Sequence, residues 1–387
     1  MAIPAWLFWL IGAVGFLAWS VRALQFRRYA GSVVRLDRES PDGPEPLPRL
    51  SIVVPARDEQ ATVEQAMRTL LALDYPDVEI IAVDDRSTDR TGAILDGLAA
   101  GRARLRVVHV RELPPGWLGK NHALHLGAQQ ASGETVLFTD ADVHFDPTAL
   151  RRAVRAAVRR GLDHLVLFPE VLVEGFWETL FVTYFGTAFL FVFPPWKVAD
   201  PRSKAYVGVG AFNLVRMDAY RRAGGHAALP MDVVDDVKLG KRLRESGARQ
   251  ECGFSDGFVR VRWAVGLKGM MEALTKNMFA SLGFRVASAL SSILTILFLV
   301  AWPGAGLLVG PWGARLLCAG ALASMVWLVH IVRPVLQGSP LYGLGFPVAA
   351  LLMAYTILRS ASRTYRQGGV VWRGTLYPLA DLRKGLV

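Results

Sequence analysis

The hydrophobic positions of this chain are concentrated in long uncharged stretches at its two ends. Four stretches lack Asp, Glu, Lys and Arg: Ala2–Val21, Val286–Ala314, Leu316–Val332 and Pro334–Leu358. Each is close to or longer than the ~17–25 residues that a membrane-spanning helix needs, although the last two are short or interrupted by Pro and Gly. The pattern predicts an N-terminal anchor, a C-terminal transmembrane region and a soluble part from about Arg22 to Arg285.

Between these ends, short apolar runs alternate with segments of helical character. The predicted strands are Leu50–Pro55, Val78–Val83, Leu105–Val110, Thr135–Thr139, His164–Phe168 and Gly208–Val215. The predicted helices are Thr62–Leu73, one ending near Leu98, Lys120–Ala131, Asp146–Arg160, one from Asp235 or Asp236 to Glu245, and the amphipathic Gly266–Phe284. This alternation indicates βαβ units and a mainly parallel sheet, an α/β fold that binds ligands at the carboxyl ends of its strands.

These patterns divide the chain into six segments. They are an anchor at 1–24, a linker at 25–49, an α/β domain at 50–263, an amphipathic interfacial helix at 264–285, a transmembrane region at 286–358 and a basic tail at 359–387.

Inside the domain, the stretch 176–196 is uncharged from Thr179 onward and long enough to resemble a span. A single crossing there would put the acidic residues before it and after it on opposite sides of the membrane. We therefore expect it to lie at the membrane surface, with Phe181, Phe185 and Phe189 forming one aromatic stripe at helical spacing. A buried core helix is the alternative.

Charge gives the expected orientation. Five arginines closely follow the first stretch, namely Arg22, Arg27, Arg28, Arg35 and Arg38. The positive-inside rule then places the central domain in the cytoplasm. The first stretch lacks a basic n-region and a small-residue cleavage site, so we expect it to remain as an anchor. These features predict a multi-pass protein of the inner (plasma) membrane.

The overall charge and the cysteines exclude other classes. The net charge of +11 suits a surface beside anionic lipid headgroups, and no nucleic-acid motif is present, so no nucleic-acid partner is expected. Cys252 and Cys318 are the only cysteines. They cannot build a disulfide framework or a Cys/His metal cluster.

Two carboxylates follow the predicted strand Thr135–Thr139. Asp140 and Asp142 are separated by one residue, and strand residues i and i+2 point the same way, so both can converge on one cation. Mg²⁺ and Mn²⁺ take oxygen ligands, often one or two carboxylates completed by substrate phosphates. The pattern predicts a Mg²⁺ or Mn²⁺ site that serves a nucleotide diphosphate, with a solvated turn as the alternative.

Other strand ends and helix starts carry candidates for nucleotide binding. They are Pro55, Arg57 and Glu59 after the first strand, Asp84 and Asp85 after the second, and Lys120 after a Gly- and Pro-rich loop. Carboxylates can accept hydrogen bonds from a base and from ribose, and a Lys at a helix N-terminus suits a phosphate. The structural alternatives are a capped turn, an ordinary helix start and a solvated Lys.

Two further pairs allow two interpretations each. Asp235 and Asp236 either cap their helix, or Asp236 is a general base that Asp235 supports. Arg262 and Trp263 end the soluble domain. There the guanidinium either binds the diphosphate or anchors the membrane surface beside an interfacial Trp.

Several motifs, in this order, resemble those of family 2 glycosyltransferases of the GT-A fold. They are PARDE, VDDRSTD, GWLGKNHAL, FTDAD and VVDDVKL. The resemblance covers about Leu50–Trp263 and is to membrane-bound, lipid-glycosylating members, such as ceramide glucosyltransferase-like and hopanoid- or carotenoid-associated enzymes. It implies a Rossmann-like GT-A domain with these roles: Asp84 and Asp85 at the nucleoside, Asp140 and Asp142 at the metal and diphosphate, and Asp236 as base.

Two departures from the family pattern argue against a polymer synthase. Val259 stands where members of the ceramide and polysaccharide type carry Gln or Arg ahead of Arg-Trp. Asp235-Asp236 stands where processive synthases usually have Glu-Asp. In the tail, the segment 372–374 (Trp-Arg-Gly) also resembles a motif of lipid-glycosylating relatives.

The resemblance implies an inverting enzyme that moves one sugar, expected to be glucose, from a UDP-sugar to a lipid hydroxyl at the cytoplasmic membrane face. One alternative is a polyprenyl-phosphate glycosyltransferase, whose anionic acceptor needs no base. Another is a non-catalytic, nucleotide-binding membrane protein. Three spans after the domain would put the tail outside, but its basic residues favour the cytoplasm. We therefore expect one late stretch, such as Leu341–Leu358, not to cross fully.

Overall fold

The computed structural model describes residues 4–43, 45–336 and 338–385. They form two compact units. The sheet unit comprises residues 33–172, 193–263 and 371–387, and the helical unit comprises residues 1–32, 173–192 and 264–370. The outermost residues of the predicted anchor and tail, Pro44 in the predicted linker and Gln337 in the predicted transmembrane region lie outside the described residues.

The strands of the described residues are β1 (Val34–Arg35), β2 (Leu50–Ala56), β3 (Val78–Asp85), β4 (Leu105–Val110), β5 (Thr135–Phe138), β6 (Val143–Phe145), β7 (His164–Phe168), β8 (Glu170–Val171), β9 (Asn213–Arg216), β10 (Gln250–Phe254), β11 (Val259–Val261), β12 (Gly369–Trp372) and β13 (Thr375–Pro378). The α-helices are α1 (Ala5–Tyr29), α2 (Val63–Leu71), α3 (Thr91–Ala99), α4 (Gly119–Gln130), α5 (Ala149–Arg160), α6 (Gly175–Val192), α7 (Pro195–Ala199), α8 (Met217–Arg222), α9 (Asp235–Glu245), α10 (Gly266–Ser281), α11 (Val286–Ile296), α12 (Trp302–Val309), α13 (Trp312–Leu336), α14 (Phe346–Gln367) and α15 (Leu379–Lys384).

The main sheet has the strand order β1-β10-β7-β9-β5-β2-β3-β4. β9 runs antiparallel to its neighbours β5 and β7, and the other neighbouring pairs are parallel. The predicted, mainly parallel α/β sheet is therefore confirmed, with β9 as the exception. A βαβ unit requires its two strands to be parallel. β7 and β9 do not form such a unit, so β9 can run antiparallel to β7.

The predicted strands correspond to β2, β3, β4, β5, β7 and β9, and their ends agree to within two residues except at the start of β9. β9 begins at Asn213 and not at Gly208, because residues 208–212 form a loop against the acidic residues of the site. The sequence also gave no prediction of β1, β6, β8, β10 and β11. These strands have two to five residues, too few to show a reliable periodicity.

Apolar side chains cover both faces of the sheet. β2 is buried along its whole length. Ile52 and Val54 join the layer formed with α2, α3 and α5. Val53 joins the opposite layer, formed with α4, α8 and α9. Burial on both faces explains why β2 reads as a continuous apolar run, and it makes the sheet a rigid support for the loops at its edge.

In the helical unit, α1 packs against α13, and the Trp19 indole N–H donates to the Leu299 carbonyl at 2.8 Å. Five helical segments of the described residues are long and apolar enough to cross a membrane. They are Ala5–Tyr29, Gly175–Ala199, Val286–Val309, Trp312–Arg333 and Pro340–Gln367.

The stretch predicted to lie at the membrane surface is helix α6 of the helical unit. Phe181 is fully buried, whereas Phe185 and Phe189 are half-buried. Phe185 and Phe189 form part of the predicted aromatic stripe, with ring centroids 6.2 Å apart, whereas Phe181 is turned inward. Positions four apart on a helix drift by about 40° per step, so the three rings meet different neighbours. Contact of α6 with the membrane stays a prediction.

Candidate active site

The carboxyl ends of β5, β2 and β3 lie side by side, because β2 pairs in parallel with both of the other strands. Three loops therefore meet at one edge of the sheet: 57–62 after β2, 86–90 after β3 and 139–142 after β5. The N-termini of α4 and α9 lie at the same edge. They carry Lys120 and Asp235, whose side chains are 3.7 Å apart. The strand-end candidates of the sequence thus share one region of the sheet unit.

Lys120 links the two acidic pairs. Its Nζ lies 2.7 Å from Asp140 Oδ1 and 3.7 Å from Asp235 Oδ2. Burial alone would lower the pKa of Lys120, but the carboxylates of Asp140, Asp235 and Asp236 outweigh it and raise the pKa above its ordinary value. With 19% of its side chain exposed, Lys120 is a fixed cation of the site and not a solvated surface Lys.

The Gly210 peptide joins Asp236 to Asp140. The Gly210 N–H donates to Asp236 Oδ2 at 2.8 Å, and its carbonyl accepts the Asp140 N–H at 3.1 Å. A Cβ on Gly210 would lie 2.5 Å from Asp140 Oδ2, so a larger residue would push the loop away. The second oxygen of Asp236 accepts the Val237 N–H at 2.8 Å. Burial raises the pKa of Asp236 above its ordinary value, although Lys120 opposes the shift.

Asp140 and Asp142 have the donor chemistry of a divalent cation site. Burial, together with the charges of Asp140 and Glu59, raises the pKa of Asp142 to about 7. Repulsion of this kind is relieved when a cation binds between carboxylates. Among the described residues, no group of three His, Cys, Asp or Glu side chains is arranged to hold a metal. The pair fits Mg²⁺ or Mn²⁺ whose shell is completed by phosphate oxygens and water.

The loop after β2 is fastened to the loop after β3. Asp58 Oδ1 accepts the Thr88 N–H at 2.8 Å, and the Glu59 N–H donates to Thr91 Oγ1 at 2.8 Å. Arg57 Nη1 lies 3.7 Å from Asp85 Oδ2. Helix α2 begins only at Val63 and has no side-chain cap. The loop is closed instead by the Glu59 carbonyl, which accepts the Thr62 and Val63 N–H groups at 3.0 and 2.9 Å, so a turn and a nucleotide contact both stay predictions for it.

The carboxylates of Asp84 and Asp85 contact other residues of this chain. Asp84 Oδ2 lies 3.0 Å from His109 Nδ1, and Asp84 Oδ1 accepts the Ser87 N–H at 3.3 Å. Asp85 accepts two hydrogen bonds from the Arg86 guanidinium, at 2.7 and 3.1 Å. Both carboxylates therefore shape the loop after β3, and their contact with a nucleoside stays a prediction.

The remaining predicted residues lie on strands or just after them. Pro55 is inside β2, in register with Val83 of β3. Arg262 follows β11, and its Nη1 donates to the Leu172 carbonyl at 2.8 Å. Trp263 packs, partly buried, against the apolar layer of α2, α3 and α5. Their binding of a nucleotide stays a prediction.

Two tail residues that were not predicted for the site contact its loops. Arg373 donates to the Glu59 carboxylate, and the Tyr377 hydroxyl accepts the Gly119 N–H at 3.3 Å. The one signal in the sequence was the Trp-Arg-Gly segment at 372–374.

This architecture agrees with comparisons to known proteins. Residues 51–192 match the family described as Glycosyl transferase family 2. The family match includes Asp140 and Asp142, whereas Asp236 and the tail lie beyond it. The predicted resemblance to this family is confirmed.

The similarity to curated glycosyltransferases extends over most of the chain. It is 23% identical over 339 residues to 4,4'-diaponeurosporenoate glycosyltransferase of Staphylococcus aureus (strain USA300), covering 86% of this chain and 88% of the relative. The protein of the same name from strain MRSA252 is 24% identical over 346 residues, with the same shares covered. The predicted likeness to carotenoid-associated enzymes is confirmed as a similarity of sequence.

A solved structure shows the same fold. The mannosyltransferase PcManGT from Pyrobaculum calidifontis, in complex with GDP-Man and Mn²⁺, superposes with a TM-score of 0.58 at 17% identity, covering 90% of this chain and 98% of that chain. The predicted GT-A fold class is thereby confirmed.

Proposed function

We propose that this protein is an inverting membrane glycosyltransferase that moves one sugar from a UDP-sugar, with glucose expected, to a hydroxyl group of a lipid. The observation that carries the proposal is the bridge from Asp140 through Gly210 to Asp236, with Lys120 beside it. The bridge supports the proposal because it joins the residue proposed to bind the metal and diphosphate to the residue proposed as general base.

In this proposal Asp236 takes the proton of the acceptor hydroxyl as the oxygen attacks the anomeric carbon. The bond from that carbon to the diphosphate oxygen breaks on the opposite face, and UDP leaves. The raised pKa of Asp236 suits a base, because a stronger base accepts a proton more readily. Lys120 stabilises negative charge beside Asp140.

Asp140 and Asp142 would hold Mg²⁺ or Mn²⁺, which supplies positive charge to the departing diphosphate. Support comes from the repulsion between the two carboxylates and from the Mn²⁺ in the PcManGT complex.

A lipid acceptor is supported by the five apolar helical segments and by the name of the Staphylococcus aureus relative, which specifies a carotenoid-type acceptor.

The name of that relative also favours a second candidate function, because the ending of the acceptor's name denotes a carboxylate. An anionic acceptor, whether a carboxylate or a polyprenyl phosphate, would attack without giving up a proton. Asp236 would then position the acceptor and not deprotonate it.

The function is tested with full-length protein in nanodiscs, a panel of UDP-sugars and GDP-mannose, and separate hydroxyl, carboxylate and phosphate lipids. We expect a product that carries one added sugar by mass, with the anomeric configuration opposite to that of the donor by NMR. Products with several sugars would indicate a polymer synthase. Nucleotide binding without any transfer or nucleotide release would favour the non-catalytic alternative.

The tail gives a prediction about topology. Residues 371–387 belong to the same compact unit as Asp140, so we expect both on the same, cytoplasmic, side. The three long apolar segments between residues 264 and 370 would then include one that does not cross fully. A Cys at Lys384, which is 79% exposed, should react with an impermeant maleimide in inside-out vesicles and not in intact cells.

The matched control for this labelling is Asp218→Cys, which is also exposed and lies in the sheet unit. The native Cys252 and Cys318 are buried, so background labelling of these two cysteines by the maleimide should be low. Labelling of residue 384 from the outer face, with residue 218 labelled from the inner face, would contradict the prediction.

A further inference from the structure

The C-terminal hairpin has an unusual turn. β12 and β13 are joined by Arg373 and Gly374, with φ angles of 46° and 77°. Two successive positive φ angles are typical of a type I′ turn, whose first position favours Asn, Asp or Gly. Asp58 and Arg86, in loops that the hairpin contacts, also have positive φ angles. Residues held in such conformations cluster at functional sites, so this turn is a reason to look for a ligand.

The Arg373 side chain reaches the acidic part of the site. Its guanidinium donates to the Glu59 carboxylate and to the Asp58 carbonyl, the latter at 3.4 Å. Glu59 is near enough to Asp140 and Asp142 for the charges to act on one another. Arg373 keeps 40% of its side chain exposed. It is therefore accessible to a ligand that enters beside these carboxylates.

A second residue holds the hairpin in place. The Tyr377 hydroxyl accepts the Gly119 N–H at the start of α4 and also bonds the Arg86 guanidinium. Gly119 is itself packed against Asp85, since a Cβ there would lie 2.2 Å from Asp85 Oδ2. The hairpin thus touches the loops after β2 and β3 and the N-terminus of α4, the elements predicted to bind the nucleotide.

We propose that the C-terminal hairpin is part of the donor site and that Arg373 binds the diphosphate of the nucleotide donor. The inference rests on the proposed function, because it takes a nucleoside diphosphate as the ligand. Without donor, Arg373 pairs with Glu59. A partly exposed ion pair of this kind is weak, whereas a guanidinium offers two parallel N–H groups to phosphate oxygens. Arg373 then does what the sequence suggested for Arg262, which bonds Leu172.

The test compares binding of UDP with binding of uridine, which lacks the diphosphate, to full-length protein in nanodiscs with Mn²⁺. We expect Arg373→Ala to weaken UDP binding about 10- to 100-fold by calorimetry, the range for hydrogen bonds to a charged group. Uridine binding, measured by ligand-observed NMR, should stay about the same. Arg373→Lys keeps the charge without the paired N–H groups. Its affinity for UDP should lie between those of the wild type and of Arg373→Ala. Lys384→Ala removes one positive charge from the same tail and should bind UDP as the wild type does.

Unchanged UDP affinity in Arg373→Ala, or equal loss of UDP and uridine affinity, would overturn the inference. If Arg373→Ala does not fold, hydrogen exchange of wild-type residues 369–378 decides, because UDP should protect these amides more than uridine does. Equal protection would also overturn it. A different result would refute the proposed function without refuting the role of Arg373. Wild-type protein that binds GDP and not UDP would refute the UDP donor, and loss of GDP binding in Arg373→Ala would still support the role of Arg373.

Discussion

The Asp236→Asn variant is expected to transfer sugar to a hydroxyl lipid ~10²–10⁴-fold more slowly than the wild type, the usual scale for loss of a general base. An amide has nearly the same shape but cannot accept the proton. Because Asp236 accepts one backbone N–H on each oxygen, the amide also loses one of these bonds, at a cost of ~1 kcal/mol in stability. Steady-state kinetics should show the loss in kcat, with little change in the KM for the UDP-sugar.

The control is Asp218→Asn, an exposed carboxylate that pairs with Arg216 and Arg222. The pH dependence gives a second measurement. Burial raises the pKa of Asp236, so wild-type transfer should fall as the pH drops through that raised pKa and Asp236 takes up a proton. Near-normal turnover of Asp236→Asn with a hydroxyl lipid would contradict the assignment, whereas normal turnover only with an anionic lipid would identify the second candidate.

Asp142→Ala is expected to abolish the dependence of UDP binding on Mn²⁺. Removal of one of two carboxylates weakens a divalent cation site strongly, because the charge of the diphosphate is then less well compensated. The pair Asp140 and Asp142 has no third protein carboxylate arranged to replace it among the described residues. Calorimetric titration of UDP with and without Mn²⁺ measures the effect, and EDTA should make the wild type resemble the variant.

The matched control is Asp77→Ala, since Asp77 is 62% exposed and lies 3.8 Å from Arg49. It should retain full metal dependence. An Asp142→Ala protein that still binds UDP more tightly with Mn²⁺ than without it would show that the cation is held elsewhere. Removing Asp142 also relieves its repulsion from Asp140 and Glu59. A thermal unfolding temperature equal to or above that of the wild type would therefore accompany loss of the metal effect.

Much of the sheet and its acidic edge followed from local pattern. β2, β3, β5 and β7 are largely apolar because helices cover both faces of the sheet, whereas the edge strand β4 carries the exposed Arg106 and His109. Parallel strands end at one edge, so the acids at the end of β3 and after β5 were expected on the same side. Asp140 and Asp142 could therefore be predicted as a pair from their spacing and from the strand before them.

Other features required the tertiary structure. The Gly210 peptide bridges Asp140 and Asp236, yet its sequence reads as the start of a strand. Phe181 is buried while Phe185 is half-buried, because the elements that pack against α6 determine which side of this mostly apolar helix faces inward.

The sequence by itself therefore determined the class of fold, the strands β2, β3, β4, β5, β7 and β9, and the carboxylates at the ends of β3 and β5. Periodicity and strand ends are properties of neighbouring residues, so they can be read locally. Only the tertiary structure decided which cations meet these carboxylates. Arg373 and Glu59 are separated by 314 residues, and no local pattern encodes a contact that depends on how the whole chain packs.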